Sequence, residues 1–259
     1  MGHGLSADLR SRLESGTTYG TFLNACSLVV ADVLAGCGYD CLMIDGEHSP
    51  VGYETAHALT IACQGRGAGA LMRIASNDPV LMKRALDLGL DGVMVPVVSS
   101  RAEAERAVAS FRYPPDGIRG MAAGVVRASQ YGLQTANYLA TGRHRPILIL
   151  QIETRAAVEA IDEIVAVDGV DMLFIGPFDL SANLGYLGQP DHPSAREAIA
   201  KVEAAAKKAG RWLGTIDTTG RPARALFAEG YRLVMGSADV TMLRETALRS
   251  PNRARAATE

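Results

Sequence analysis

Gly38-Tyr-Asp-Cys-Leu-Met-Ile-Asp45 joins a glycine that stops a helix to a short, fully apolar strand that ends on a charge. The glycine followed by a short apolar strand, without the terminal charge, recurs as Gly89-Leu-Asp-Gly-Val-Met-Val-Pro96, Gly169-Val-Asp-Met-Leu-Phe-Ile-Gly176 and Gly230-Tyr-Arg-Leu-Val-Met-Gly236. Further strand-like runs lie between them at Tyr19–Leu23, Ala70–Ile74, Pro146–Ile152 and Trp212–Ile216. Eight strands alternating with helical stretches predict an α/β fold, a parallel (β/α)8 TIM barrel in one domain over residues 1–259. A doubly wound open sheet is the alternative. Gly36-Cys-Gly38 is a poor dinucleotide fingerprint for it, because these glycines precede a strand instead of following one.

Helix ends are legible as well. Asp78-Pro79 reads as a cap followed by proline at the first helical position, with Gly89 ending that helix. Pro193–Ala209 is alanine-rich, and Lys207 and Lys208 suit its C-terminal end. The connection Phe111–Arg145 breaks the rhythm and reads as a turn-rich functional insertion on the strand-4 exit. Residues 1–17 read as an extension or helix, and 249–259 as a frayed tail.

Composition excludes several classes. The chain has 259 residues, 48% of them hydrophobic, enough for one large core. A net charge of −2 leaves no basic footprint for nucleic acid. Apolar runs such as Ile147–Leu150 are strand-sized, far below the ~20 residues of a membrane span. The polar start lacks an apolar signal core, so a cytoplasmic address is expected, and Gly2-His-Gly-Leu-Ser6 fits an acylation pattern without the basic cluster that would support it. Cys26, Cys37, Cys41 and Cys63 form no Cys-x-x-Cys pair and read as buried free thiols. Lysine is scarce: only Lys83, Lys201, Lys207 and Lys208, all in helical stretches.

In a barrel of this kind the chemistry belongs where strands end. Strand 2 leads into Asp45-Gly-Glu-His48, strand 3 ends near Arg73, strand 5 leads into Gln151-Ile-Glu153, and strand 6 into Gly176-Pro-Phe-Asp179. Glu153 and Asp179, on adjacent strands, could share one hard divalent cation, or Asp179 could cap a helix. Asp45 and His48 are catalytic candidates in one loop; the imidazole could exchange protons near neutral pH or bond loop backbone. Arg73 could bind a carboxylate or developing enolate, or form a structural ion pair. Asp87 opposes the helix dipole, so either Arg84 and solvent compensate it or it has a task such as orienting His48. His57 falls in a helical stretch, and His3, His144 and His192 in polar segments.

These stretches, with Asn77-Asp-Pro79, Arg112-Tyr-Pro-Pro115, Gly117-Ile-Arg-Gly120, Gln151-Ile-Glu-Thr154 and Gly176-Pro-Phe-Asp-Leu-Ser181, carry a resemblance spanning about Gly20 to Thr246. The chain resembles the class II, metal-dependent pyruvate aldolases, the family of 4-hydroxy-2-oxoheptane-1,7-dioate aldolase and 2-keto-3-deoxy sugar acid aldolases. The resemblance implies a lyase that reversibly cleaves a 4-hydroxy-2-oxo acid to pyruvate, or hydroxypyruvate, and an aldehyde, in aromatic or sugar acid catabolism. It implies His48 as acid/base, Asp87 raising its basicity, Arg73 on the enolate, and Glu153 and Asp179 on Mg²⁺, Mn²⁺ or Co²⁺. Gln151, Phe178, Asp179 and Arg73 would contact the 2-oxo acid, and no lysine would form a Schiff base. It also implies a homohexamer, a trimer of dimers, with the C-terminal helix near Ala238–Arg249 exchanged between subunits. Phe178 and Met121 stand where many members carry smaller residues. Alternative readings are a CoA-thioester carbon–carbon lyase of the citrate lyase beta type, for which no cationic clamp is evident, and a non-catalytic 2-oxo-acid sensor.

Overall fold

The structure is a computed structural model and describes residues 9–142 and 145–256, with side chains to residue 249. His3, His144 and the Gly2–Ser6 segment lie outside the described residues. Eight strands, β1 (Thr18–Leu23), β2 (Cys41–Asp45), β3 (Gly69–Arg73), β4 (Gly92–Val95), β5 (Ile147–Ile152), β6 (Met172–Ile175), β7 (Trp212–Ile216) and β8 (Leu233–Met235), form one closed parallel barrel. β8 returns to β1 through Thr18↔Leu233 and Gly20↔Met235, which excludes the open sheet. The strands are predominantly apolar because both faces are covered, with polar residues gathering at their C-terminal ends. The repeated glycine of the opening motif has φ of 93°, 73°, 97° and 99° at Gly38, Gly89, Gly169 and Gly230, the left-handed turn that sends each helix into its strand.

Two apolar layers fix which end is open. Leu42, Ile44, Val93, Leu148, Leu150, Leu173 and Val234 face the helices, whereas Met43, Leu71, Met94, Ile149, Met172, Phe174 and Met235 fill the lumen. Helix α1 (Leu9–Ser15) buries Leu9 and Leu13 in that inner cluster, with Leu9 against Gly69 at the start of β3. One end is therefore plugged, and only the C-terminal ends of the strands open to solvent.

The outer helices are α2 (Leu28–Gly36), α3 (Tyr53–Gly65), α4 (Pro79–Asp87), α5 (Arg101–Phe111), α6 (Thr135–Ala140), α7 (Arg155–Glu159), α8 (Ile161–Val165), α9 (Pro177–Asn183), α10 (Pro193–Lys208), α11 (Ala223–Ala228) and α12 (Asp239–Ala256). Asp78 caps α4 as expected, accepting from the Val80 and Leu81 N–H groups at 2.8 and 3.0 Å.

Three expectations are corrected. The insertion does not leave strand 4: it follows α5, and Arg127 ties it to the last turns of α3 and α4 through Gln64 Oε1 (2.8 Å) and the Leu88 carbonyl (2.9 Å). It lies at the plugged end, away from the mouth, and exposed Met121 lies within it. Helix α12 runs to Ala256, through the segment read as a frayed tail. Only Cys41 and Cys63 are buried; Cys26 is partly exposed and Cys37 exposed.

Candidate active site

Register builds the mouth. Asp45 and Arg73 end their strands as direct partners, as do Ile152 and Ile175 two strands further round, so Glu153 and Gly176 leave the sheet side by side. The polar residues at these exits lie above the packed lumen.

Asp45 organises one side. Its Oδ1 accepts from Arg73 Nε (3.0 Å) and from the Glu47 and His48 N–H groups (3.1 and 3.2 Å). Its Oδ2 accepts from Arg73 Nη2 and Asn24 Nδ2, at 2.8 and 2.7 Å. Burial pushes this carboxyl's pKa up, but Arg73, the His48 N–H and Asn24 outweigh it and hold the group below the ordinary range. A carboxylate with five donors is a fixed anion, so Asp45 positions its neighbours and does not itself carry protons.

Arg73 is thereby drawn across the mouth. It is buried, bound bidentately by Asp45, with Nη1 3.0 Å from Glu47 Oε2 and 3.5 Å from Gln151 Oε1, and its guanidinium lies 5.3 Å from the Phe22 ring centroid. Both readings of Arg73 are thus present at once: it is ion-paired, and it faces the mouth. Glu47 Oε2 is buried and near Arg73, yet no donor reaches it in hydrogen-bonding geometry. Burial, then Asp45 and Asp179, raise the Glu47 pKa against the pull of Arg73 and His48. The His48 ring is 62% exposed, its Nε2 3.6 Å from Glu47 Oε2; its backbone N–H, not its ring, bonds the loop.

The opposite side is acidic. Glu153 is 4% exposed, with Oε1 accepting from the Val97 N–H at 2.9 Å and Oε2 from Gln151 Nε2. Burial pushes its pKa up to about 7; Asp179 and Glu47 add to the rise, and the Val97 N–H opposes it. Asp179 sits in the first turn of α9 but does not cap it, because the N-cap is Gly176 and no side chain bonds there. A Cβ on Gly176 would come within 2.7 Å of Glu153 Oε2, so the glycine leaves room for that carboxylate. Phe178, beside Asp179, is partly exposed at this rim.

Glu153 and Asp179, close enough that the Asp179 charge raises the Glu153 pKa, are the residues that could hold a hard divalent cation. Among the described residues no three or more His, Cys, Asp or Glu side chains converge as a complete metal cage. Two carboxylates with open positions is the arrangement that Mg²⁺ accepts when substrate oxygens and water complete its shell.

The structure does not bring Asp87 to His48. Helices of a parallel barrel run opposite to the strands, so the last turn of α4 lies at the plugged end. There Asp87 accepts from Arg119 Nη2 at 2.8 Å, and the Arg119 guanidinium stacks over Tyr113, 4.4 Å from its centroid. Sequence reasoning missed Asn24, which occupies on strand 1 the exit position that drew attention to Asp45 on strand 2, and Val97, whose part is played by its backbone. All four lysines are helical, Lys83 on α4 and the others on α10. His192 Nδ1 caps α10, and His57 on α3 lies 3.0 Å from the Tyr131 hydroxyl.

A barrel plugged at one end gathers at its open end a buried guanidinium, an imidazole and four carboxylates, the position where barrels of this kind carry their chemistry. The chain belongs to the HpcH/HpaI aldolase/citrate lyase family, whose profile matches residues 18–246, and is a lyase of the aldolase type. It is 42% identical over 219 residues to a hydroxypyruvate/pyruvate aldolase of Sagittula stellata, covering 85% of this chain and 86% of that one. It is 37% identical over 228 residues to a 4-hydroxy-2-oxo-heptane-1,7-dioate aldolase of Shigella sonnei, covering 88% and 87%. The crystal structure of an HpcH/HpaI aldolase/citrate lyase family protein from Burkholderia cenocepacia superposes with a TM-score of 0.89 at 36% identity, covering 95% and 98%. Among the described residues no helix is long and apolar enough to cross a membrane.

Proposed function

We propose that this chain is a class II pyruvate aldolase that reversibly cleaves a 4-hydroxy-2-oxo acid into pyruvate, or hydroxypyruvate, and an aldehyde. The observation that carries the reading is the buried Glu153 carboxyl, crowded by Asp179 and Glu47 and joined to Arg73 through Gln151, whose Nε2 donates to Glu153 while its Oε1 lies 3.5 Å from Arg73 Nη1. Glu153 and Asp179 would hold Mg²⁺, Mn²⁺ or Co²⁺, which when bound supplies Lewis-acid polarisation of the 2-oxo group. Arg73 and Gln151 orient the 2-oxo acid, and the guanidinium stabilises the enolate oxygen as charge develops there. His48 takes the C4 hydroxyl proton as the C3–C4 bond breaks. The bonding electrons enter the 2-oxo system, and His48, directly or through water, returns a proton to C3 to give the 2-oxo acid product. Asp45 holds Arg73 and the His48 loop in register for these steps.

The test is deuterium exchange at pyruvate C3 followed by NMR on chelated enzyme, with and without added Mn²⁺ or Mg²⁺. Metal-dependent exchange is expected. Absence of exchange with pyruvate and hydroxypyruvate alike, under both conditions, would refute the reading and favour a 2-oxo-acid sensor.

The same reading includes a cytoplasmic homohexamer with α12 exchanged between subunits. Its support is apolar surface on α2 (Leu28, Val29, Val33) and α12 (Val240, Leu243, Leu248), which one chain leaves exposed. Light scattering on the purified protein checks it; a monomer would refute it.

A further inference from the structure

Four non-glycine residues have a left-handed backbone among the described residues: Cys26, Val97, Gln130 and Tyr131. Val97, at φ 54°, is the β-branched one, the side-chain type that tolerates this region worst. Such a conformation persists only where the surroundings over-determine it.

The surroundings of Val97 are the exit of β5. One residue on, the Val98 N–H donates to the Gln151 carbonyl at 3.2 Å and the Val98 side chain is buried, so β4–β5 pairing continues past the strand end. Two residues on, Ser99 Oγ lies 2.7 Å from Thr154 Oγ1. The segment after β4 is therefore clamped to the residues on both sides of Glu153, and the left-handed turn falls between the strand end and the clamp. At that turn the Val97 N–H points at Glu153 Oε1, 2.9 Å away. The Val97 side chain is half exposed, so its own packing does not explain the strained backbone.

We infer that the left-handed backbone at Val97 is a positioning device: its N–H fixes the Glu153 carboxylate in the orientation that receives the divalent cation. The inference rests on the metal-binding reading of Glu153 and Asp179 above. Gln151 Nε2 holds the other oxygen, so the two donors together set the plane of the carboxylate. The N–H is the working group and the valine side chain is not, which makes the device separable by mutation.

The test is calorimetric titration of metal-free protein with Mn²⁺, for wild type, Val97→Asn and Val97→Pro, alongside thermal melts of the same metal-free samples. Asparagine adopts the left-handed region readily and keeps the N–H, so V97N should bind Mn²⁺ within threefold of wild type. Proline removes the N–H and fixes φ near −65°, so V97P should bind about 10- to 100-fold more weakly, the worth of one hydrogen bond to a charged group. Should V97P fail to fold, an amide-to-ester replacement at Val97 removes the N–H alone and carries the same expectation. The inference is overturned if the N–H-deleted protein binds Mn²⁺ like wild type, or if V97N loses as much affinity as V97P. Wild type that binds no Mn²⁺ would overturn the metal reading and this inference with it, an outcome distinct from equal binding by all variants.

Discussion

Replacing Asp45 by asparagine tests how the mouth is held together, because it changes one oxygen and almost no volume. Asp45 accepts five hydrogen bonds, two of them from the buried Arg73 guanidinium. Whichever way the new amide turns, its NH₂ faces donors: Arg73 with Asn24 on one side, Arg73 with the Glu47 and His48 N–H groups on the other. Arg73 keeps Glu47 at 3.0 Å as its remaining carboxylate. Breaking a buried pair by removing one charge costs ~3–5 kcal/mol, and Glu47 places this case near ~3 kcal/mol. For a domain of this size that is a fall in Tm of about 6–12 °C. An Arg73 displaced by about 1 Å should lower turnover about 100-fold. Thermal melts and the C3 exchange assay read the two effects separately. The double variant with Arg73→Ala should be less destabilised than the sum of the singles, since both remove one interaction. A Tm within 2 °C of wild type, with exchange within about threefold, would refute the organising role assigned to Asp45.

Two further outcomes follow from burial and charge. His48→Ala should reduce exchange by about 10²- to 10⁴-fold while leaving Tm unchanged, because the imidazole is largely exposed; near-normal exchange would remove its acid/base role. Glu153 has a folded pKa of about 7 against an ordinary 4.5, so its protonated form is favoured by folding. Its contribution to metal-free stability is fully present below about 4.5 and is lost as pH rises through about 7, at most ~3 kcal/mol in all. Glu153→Gln should flatten that part of the stability–pH curve and weaken Mn²⁺ binding. Melts from pH 4 to 8 check the first effect, and a slope identical to wild type would contradict it.

Four strands were legible because each follows a left-handed glycine, Gly38, Gly89, Gly169 or Gly230, and the other four because they are short apolar runs between these units. Asp45, Arg73, Gln151, Glu153 and Asp179 could be placed at the mouth because each lies at or shortly past the C-terminal end of a strand. Asp87 stood out because it opposes the dipole of α4, and in the structure Arg119 answers that charge at the end of the barrel to which the helix has run back. The insertion was misread because a whole helix, α5, which Ser100 caps by accepting from the Glu103 N–H, lies between strand 4 and Phe111. Asn24 was readable in principle as a polar strand exit. Val97 was not, since a β-branched residue signals extended backbone and only the β5 exit pulls it to φ 54°.

Charge at the mouth also orders events there. Asp45, Glu47, Glu153 and Asp179 face one guanidinium, Arg73, which Asp45 and Glu47 already engage. A 2-oxo acid brings a further carboxylate into this site, where low dielectric magnifies repulsion. Divalent charge, if held beside Glu153 and Asp179 as proposed, would reverse that balance on the side Arg73 does not reach. Pyruvate should therefore bind weakly to chelated protein and at least tenfold more tightly with Mg²⁺, an effect that ligand-observed NMR reads without turnover. By linkage, pyruvate must tighten Mg²⁺ by the same factor. Pyruvate affinity that is indifferent to Mg²⁺ would mean that Arg73 and Gln151 suffice to hold the anion, and that the two acidic exits serve some other end.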